Sequence, residues 1–325
     1  MTTPTALGLR VVGNAAGTRR IVDHATAFRA HCQLDERAEP VRESYLSIFT
    51  FPREFRKHFE ATRTEAAYNG PCGASAVWWD IDRPDDLERA LRDSRRLAAF
   101  VLDQFAELDD ADLLIFFSGA KGFHVGLPTA WRPAPTPSLH AVAKRFCETI
   151  ADAAGVAIDP SVYSKTRLFR SPNSRHAKTG LYKRRLTYAE LLHLRLEAIV
   201  ALAREPAPFE LPAGPTECPN LADAWNRAKL AVERQAVEQR RYVADGPKLA
   251  RATLEFIREG AGDGERELRC FRAAANLAEF GCPDALAFAL LEESALDSGL
   301  SPKEARKAID GGLRHGRQQG KGAAQ

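Results

Sequence analysis

The chain has 325 residues, enough for one large or two modest domains, and its 45% apolar and 27% charged residues exclude a largely disordered protein. Its 46 Lys and Arg against 43 Asp and Glu leave a net charge of +3, which favours no class of partner by itself. The apolar runs are far shorter than the ~20 residues of a membrane span, and no signal-peptide pattern begins the chain, so we expect a cytoplasmic protein without a membrane partner.

The first two thirds of the sequence predict an α/β domain. Short runs of β-forming residues alternate with helical stretches, of which two prominent ones cover residues 85–108 and 139–154. Five prolines then fall within fourteen residues, and proline cannot continue a helix. We therefore predict a first domain over residues 1–205 and a proline-rich linker over residues 206–222.

The last third of the sequence predicts helices. Apolar residues recur at helical spacing over residues 223–242 and 265–280. A capping box at residues 301–304, with proline at the first helical position, opens a last helix. The glycine-rich residues 311–325 predict a frayed basic tail. We therefore expect a helical C-terminal domain over residues 223–325.

A pair of carboxylates follows an early hydrophobic strand. The run VWWDIDRPDD places Asp80 and Asp82 at the end of this strand, and side chains two residues apart in a strand point to the same face. Carboxylate oxygens are ligands that Mg²⁺ prefers, with water and phosphate oxygens completing its coordination. Two solvated acids that merely start a turn are the alternative, and the spacing alone leaves both interpretations open.

A glycine-rich turn follows a second hydrophobic strand, LLIFF. Gly119 and Gly122 permit a tight turn, and Ser118 and Lys121 supply hydrogen-bond donors. We predict a β-hairpin that presents Ser118, Lys121 and His124 to a phosphate beside the acidic pair. An ordinary hairpin with a buried histidine is the alternative.

The charges of the chain are segregated. Residues 80–112 carry eleven acids against five arginines, a net charge of −6, whereas residues 159–188 carry eight Lys and Arg against Asp159, a net charge of +7. Basic residues interleaved with aromatic ones fit contact with phosphates and bases, although a solvated basic loop is commoner. The SPNS stretch favours a defined local shape. The side chains expected to contact nucleic acid are Lys165, Arg167, Arg175, Lys178, Lys183, Arg184 and Arg185.

Four motifs in this order, hydrophobic-DID, SGAKGFH, a strand ending in Asp159 and LFRSPNSRHAKTG, resemble the archaeo-eukaryotic primase superfamily over roughly residues 45–190. The six cysteines are scattered without a CxxC pair, so we expect no structural zinc. Because cellular primase subunits often carry a zinc element, the resemblance is to the primase-polymerases of mobile elements such as plasmids and phages. It implies an α/β (α+β) catalytic core with a mixed or antiparallel sheet, followed by a small all-α domain.

The resemblance also implies roles for individual residues. Asp80, Asp82 and Asp159 correspond to the catalytic carboxylates that hold two Mg²⁺ or Mn²⁺ ions. Ala120 stands where many primase subunits carry a second arginine, so the resemblance does not extend to the phosphate contact of that arginine. The residues implied to bind the nucleotide triphosphate are Ser118, Lys121, His124, Arg170 and His176.

The implied function is that of a DNA primase or primase-polymerase, a nucleotidyltransferase of DNA replication. It would synthesise short primers on single-stranded DNA from NTPs or dNTPs by two-metal nucleotidyl transfer, with a helicase or other replication proteins as further partners. One alternative is a repair-type polymerase that extends ends and cannot start chains. Another is an inactive single-stranded-DNA-binding initiator, against which the three acids argue. A two-metal nuclease could use the same acids but would not need the basic cluster.

Overall fold

The computed structural model describes residues 6–14, 16–66, 68–129, 133–212, 218–244, 249–262 and 264–322, without the side chains of 239–244 and 320–322. The chain divides into two compact units, Met1–Glu233 and Arg234–Gln325. All strands found among the described residues belong to the first unit.

Two four-stranded antiparallel sheets form the first unit. The first sheet contains, in spatial order, β2 (Arg20–Asp23), β1 (Leu7–Val12), β3 (Ser44–Ser47) and β7 (Leu168–Arg170). The second contains β4 (Ala76–Asp82), β6 (Gly122–Pro128), β5 (Leu114–Phe117) and β8 (Arg184–Leu186). The structure is thus mixed α/β with antiparallel sheets, as predicted.

The helices of the first unit cover the sheets, and the two predicted long ones are confirmed. They are α1 (His24–Cys32), α2 (Arg53–Thr62), α3 (Leu87–Gln104), α4 (Leu139–Ala153), α5 (Tyr188–His193), α6 (Leu196–Leu202) and α7 (Pro219–Ala244), the last of which crosses the division between the units. Helix α3 begins at Leu87 because the Asp86 carboxylate accepts a hydrogen bond from the Arg89 amide (2.8 Å).

The second sheet is the hydrophobic centre of the first unit. Strands β4, β5 and β6 are almost continuously apolar because both of their faces are buried. Trp79 is fully buried, and its indole N–H donates to the carbonyl of Cys147 in α4 (3.0 Å). The Tyr163 hydroxyl donates to the carbonyl of Trp78 (2.7 Å). These two bonds fix the polar end of β4 relative to the elements that flank it.

The second unit is helical, as predicted, with its own core around Phe256, Leu291 and Ile309. Its helices are α8 (Arg251–Glu259), α9 (Arg266–Glu279), α10 (Asp284–Asp297) and α11 (Pro302–Gly322). The predicted capping box is present, since the Ser301 amide donates to Glu304 (2.9 Å) and the Glu304 amide donates to the Ser301 hydroxyl (3.4 Å). Among the described residues, no helix combines the length and the apolar character needed to cross a membrane.

The frayed tail expected from Gly311 is wrong for residues 311–322, which continue α11. Gly312 and Gly316 face α9 so closely that a Cβ would overlap the carbonyl oxygens of Phe271 and Ala275. The glycines therefore let two helix backbones meet, and this packing outweighs their low helix propensity. Residues 323–325 lie outside the described part of the chain.

Part of the predicted linker packs on the first unit. The Phe209 amide donates to the carbonyl of Cys32 (3.0 Å), and its ring lies edge-on to Phe116 at 5.6 Å between centroids. Ala207 and the Asn173 side chain exchange two hydrogen bonds. Residues 213–217 are not described, and the domain limits of 205 and 223 stay a prediction.

Candidate functional site

The carboxylates predicted from the DxD motif lie where β4 ends beside β6. Antiparallel pairing places Asp80 opposite His124 and Asp82 opposite Gly122. Asp80 and His124 are both buried, and His124 Nε2 lies 3.5 Å from Asp80 Oδ1. A Cβ at Gly122 would overlap the Ile81 carbonyl and the Asp82 side chain, so only glycine allows this close pairing.

The third predicted carboxylate joins the same end of β4. The Asp159 amide donates to the carbonyl of Asp80 (2.9 Å), and its carboxylate accepts hydrogen bonds from the amide and the hydroxyl of Ser161 (2.8 Å each). Arg83 donates to the carbonyls of Asp82 (2.7 Å) and Ala157 (2.9 Å), which ties the two segments together. We call Asp80, Asp82 and Asp159 the acidic edge.

Electrostatic repulsion is concentrated at this edge. Burial raises the pKa of Asp80 to about 7, and the charges of Asp82 and Asp159 act in the same direction. Asp80 Oδ1 has no hydrogen-bond partner. Lys121 Nζ lies 2.7 Å from Asp82 Oδ2, and this hydrogen bond raises the pKa of the Lys121 amine. An ammonium group therefore already compensates one of the three acids.

The chemistry of the acidic edge suits a hard divalent cation, because it offers carboxylate oxygens and one buried oxygen without a partner. Two of its three carboxylates are held by Lys121 and by Ser161. Among the described residues, no group of three or more His, Cys, Asp or Glu side chains is arranged to hold a metal ion.

Two residues predicted to bind phosphate, His124 and Ser118, make contacts within the fold beside the acidic edge, and their contact with phosphate stays a prediction. His124 is buried and stacks on Phe169, with 4.1 Å between ring centroids, and burial lowers the pKa of its imidazole well below the usual value. The Ser118 hydroxyl accepts hydrogen bonds from the amides of Gly122 (3.2 Å) and Ala120 (3.3 Å), which closes the turn. Neither side chain lines the adjacent cleft.

The remaining predicted nucleotide-binding residues meet in a cleft of about 1090 Å³, which we call the basic cleft. Lys121 lines it and also contacts the acidic edge, so the two regions are adjacent. Glu43 is the acidic residue in the lining. The cationic or titratable basic side chains of the lining are Arg42, Lys121, Arg170, Arg175, His176 and Lys178.

The loop of residues 171–180 holds a defined shape, as its SPNS stretch predicts. Asn173 has a left-handed backbone (φ 56°), and its side chain donates to the carbonyls of His31 (3.1 Å) and Ala207 (2.9 Å). The Thr179 hydroxyl donates to the carbonyl of Gly119 (2.6 Å). This last bond ties the loop that carries His176 to the turn that carries Lys121.

The structure corrects one prediction of a nucleic-acid contact. Lys183 is 1% exposed, its amine donates to the carbonyl of Arg170 (2.8 Å), and Nζ lies 4.2 Å from the centroid of the Phe169 ring. Burial lowers the pKa of this amine well below its usual value. Lys183 directly precedes β8, which pairs with β5. Its side chain lies in the interior and cannot contact a strand of nucleic acid.

The other residues of that predicted set differ in exposure. Arg185 donates to the carbonyls of Leu113, Ile115 and Leu186, and Lys165 Nζ donates to the carbonyl of Gly70 (2.9 Å), so both support the fold. Arg184 is half-buried. Arg167, Arg175 and Lys178 are exposed, and their contact with nucleic acid stays a prediction.

Three further residues line the basic cleft and were not predicted from the sequence. They are Arg42 and Glu43, which precede β3, and Tyr45, which lies in it. They belong to no motif. Pairing of β3 with β7 places Tyr45 opposite Arg170, and this pairing joins positions 125 residues apart. A charged and an aromatic residue at the start of a short buried strand were the available signal.

No family model and no curated protein matches the chain. Two solved structures are similar. The polymerase domain of Mycobacterium tuberculosis Ligase D in complex with DNA is 19% identical, with 59% of this chain and 69% of that chain covered and a TM-score of 0.35. The primase RepB' is 15% identical, with 97% of this chain and 93% of that chain covered and a TM-score of 0.34.

Likenesses at these TM-scores say nothing about the activity of this chain. On its sequence motifs the chain resembles the archaeo-eukaryotic primase superfamily.

Proposed function

We propose that this chain is a DNA primase-polymerase, which joins nucleotides by nucleotidyl transfer on a single-stranded DNA template. The supporting observation is the position of Lys121, which contacts Asp82 at 2.7 Å and also lines the basic cleft. Nucleotidyl transfer needs carboxylates near the reacting hydroxyl and cations around the phosphates. Lys121 joins two regions with these two chemistries.

The acidic edge would hold the catalytic ions of this reaction. Asp80, Asp82 and Asp159 would be the ligands of two Mg²⁺ or Mn²⁺ ions, which when bound supply charge neutralisation and activation of the attacking 3′-hydroxyl. The buried ring of His124 lies 3.5 Å from Asp80 and would limit the space open to that carboxylate.

The basic cleft would bind the triphosphate. Lys121, Arg170 and His176 lie on three segments that hydrogen bonds and strand pairing hold together, so they can contact different phosphates of one nucleotide. Fixed cations of this kind orient a phosphoryl group for in-line attack and stabilise developing negative charge. Exposed Arg175 and Lys178 on the same cleft would contact the phosphates of the template.

The direct test is primer synthesis on a denaturing gel. Purified protein is incubated with single-stranded DNA and Mg²⁺ or Mn²⁺, with labelled NTPs and dNTPs supplied separately, and with or without a primer. We expect product without a primer, and loss of product in the Asp80→Ala/Asp82→Ala variant. Asp103→Ala, which removes an exposed acid of α3, is the matched control and should keep full activity.

Two other outcomes are informative. Product that depends on a supplied primer would identify an end-extending polymerase with the same site. Absence of product under every condition, or full activity of the Asp80→Ala/Asp82→Ala variant, would contradict the proposed function.

A further inference from the structure

Arg170 is held in the basic cleft from three sides. Its Nη1 donates to Glu43 Oε1 at 2.8 Å, its guanidinium lies 5.3 Å from the centroid of the Tyr45 ring, and its backbone carbonyl accepts a hydrogen bond from Lys183. The side chains of Arg170 and Glu43 are only 13% and 15% exposed. This pair is therefore more rigid and less screened than a surface salt bridge.

Glu43 also contacts a second part of the cleft. The same Oε1 accepts a hydrogen bond from the backbone amide of Ala177 (3.2 Å), which directly follows His176. Burial opposes ionisation of Glu43, but the hydrogen bonds from Arg170 and Ala177 together lower the pKa of its carboxyl group. One carboxylate thus connects the strand that carries Arg170 with the loop that carries His176.

A carboxylate within a cleft repels a polyanionic ligand. It can still favour binding of that ligand if it holds the surrounding cations in position. An arginine has five N–H donors, and Glu43 accepts from Nη1 of Arg170. Nη2 also donates to the Tyr45 hydroxyl (3.4 Å). The N–H groups that remain can donate to a phosphate, so Arg170 can bind Glu43 and a phosphate at the same time. The Ala177 contact fixes the backbone next to His176 without using the imidazole.

We propose that Glu43 is a positioning residue of the nucleotide site, which holds Arg170 and the His176 loop ready for a triphosphate. This inference rests on the proposed function. Glu43 then contributes to binding of the nucleotide in the ground state. Replacing Glu43 therefore raises the nucleotide Kd and KM more than it lowers kcat.

Isothermal titration calorimetry with ATP and with dATP at low salt tests the proposal. We expect Glu43→Ala to raise Kd about tenfold, equivalent to ~1.4 kcal/mol. Glu43→Gln keeps an oxygen that can accept from both donors, so its Kd should stay within about threefold of the wild-type value. Glu60→Ala, which removes an exposed acid of α2, is the matched control and should not change Kd.

A urea unfolding curve of each variant separates binding from folding. If Glu43→Ala does not fold, Glu43→Asp replaces it, because the shorter side chain cannot reach both donors and should also raise Kd. Tighter binding by Glu43→Gln would show that Glu43 competes with phosphate and would overturn the proposal, as would a wild-type Kd in Glu43→Ala. If the wild-type protein binds neither nucleotide, the proposed function fails and this inference fails with it.

Discussion

The acidic edge and the basic cleft are adjacent but are built in different ways. Two acids of the edge, Asp80 and Asp82, lie on a paired strand, and backbone register places buried Asp80 opposite buried His124. The cleft is open, and its lining combines strand residues such as Tyr45 and Arg170 with loop residues. Side-chain bonds such as Glu43 to Arg170 and Thr179 to Gly119 connect these segments. Backbone pairing alone thus places Asp80 and Asp82, whereas the cations of the cleft depend on side-chain contacts as well.

The two regions also differ in what they lack. At the acidic edge, burial and the charges of Asp82 and Asp159 raise the pKa of Asp80 to about 7, and Asp80 Oδ1 has no hydrogen-bond partner. In the basic cleft, one carboxylate faces several cationic side chains. Cations would relieve the edge, and a polyanion would relieve the cleft, which is the combination that a metal-nucleotide complex supplies.

Replacing Asp80 should impair catalysis at the acidic edge and leave nucleotide binding in the basic cleft unchanged. We expect Asp80→Asn to lower the rate of primer synthesis by about 10³-fold, because a proposed metal ligand is lost. Nucleotide affinity without metal should change little, since Asp80 does not line the cleft. Gel assays and calorimetry on the same preparation measure both quantities, and an equal loss in both would mean that the two regions are not separable.

The pH dependence of the free energy of unfolding should show the cost of ionising Asp80 at the acidic edge. A carboxyl group whose pKa rises from 3.8 to about 7 on folding binds more protons in the native state, so its stabilising contribution is present at low pH and is lost as pH rises through about 7. In EDTA, wild-type protein and Asp80→Asn should therefore unfold alike near pH 4. At pH 7.5 the variant should be more stable by a few kcal/mol, at ~1.4 kcal/mol per pKa unit.

Urea unfolding of both proteins across this pH range measures the difference. Addition of Mg²⁺ at pH 7.5 should stabilise the wild-type protein more than the variant. Parallel curves for the two proteins at all pH values would contradict the account of the edge.

A conservative change in the cleft should weaken binding alone. Arg170→Lys keeps a positive charge but loses the planar set of donors that can serve Glu43 and a phosphate together. We expect the nucleotide Kd to rise about tenfold with a smaller change in kcat. Arg204→Lys, an exposed substitution outside the cleft, is the control. A fall in kcat without a change in Kd would place Arg170 at the edge instead.

The smallest expected effect is on the salt dependence of DNA binding, which should change when an exposed lysine is replaced and stay the same when a buried one is. Lys178→Ala should reduce the slope of log K against log salt for single-stranded DNA by about 0.7, because one phosphate contact is lost. Lys183→Met should leave the slope unchanged, since this amine is 1% exposed. Fluorescence titrations at several salt concentrations give both slopes, and a reduced slope for Lys183→Met would contradict its inward placement.

Local patterns predicted the parts of the site and of the fold that residues close in sequence build. The DxD spacing, the glycine turn and the Ser301 capping box each act within a few residues, so their geometry follows from the sequence. Glu43 and Arg170 are 127 positions apart and meet through the pairing of β3 with β7. No local rule predicts such a contact.

Burial was the other property that local patterns missed. Lys183 stands in a run of basic residues typical of a solvated loop, and strand pairing takes it inside. The glycines of α11 suggest fraying, whereas contact with α9 makes them part of a packed helix. In both cases a tertiary contact outweighs the preference of the segment.

Nucleotide titration with and without Mg²⁺ tests most directly whether the edge and the cleft form one site. Wild-type protein and the Asp80→Asn/Asp82→Asn variant are titrated with dATP and ATP, first in EDTA and then in Mg²⁺. We predict that Mg²⁺ tightens nucleotide binding by the wild-type protein about tenfold or more and has little effect on the variant. Equal Mg²⁺ dependence in the two proteins, or none in the wild type, would contradict a joint nucleotidyl-transfer site.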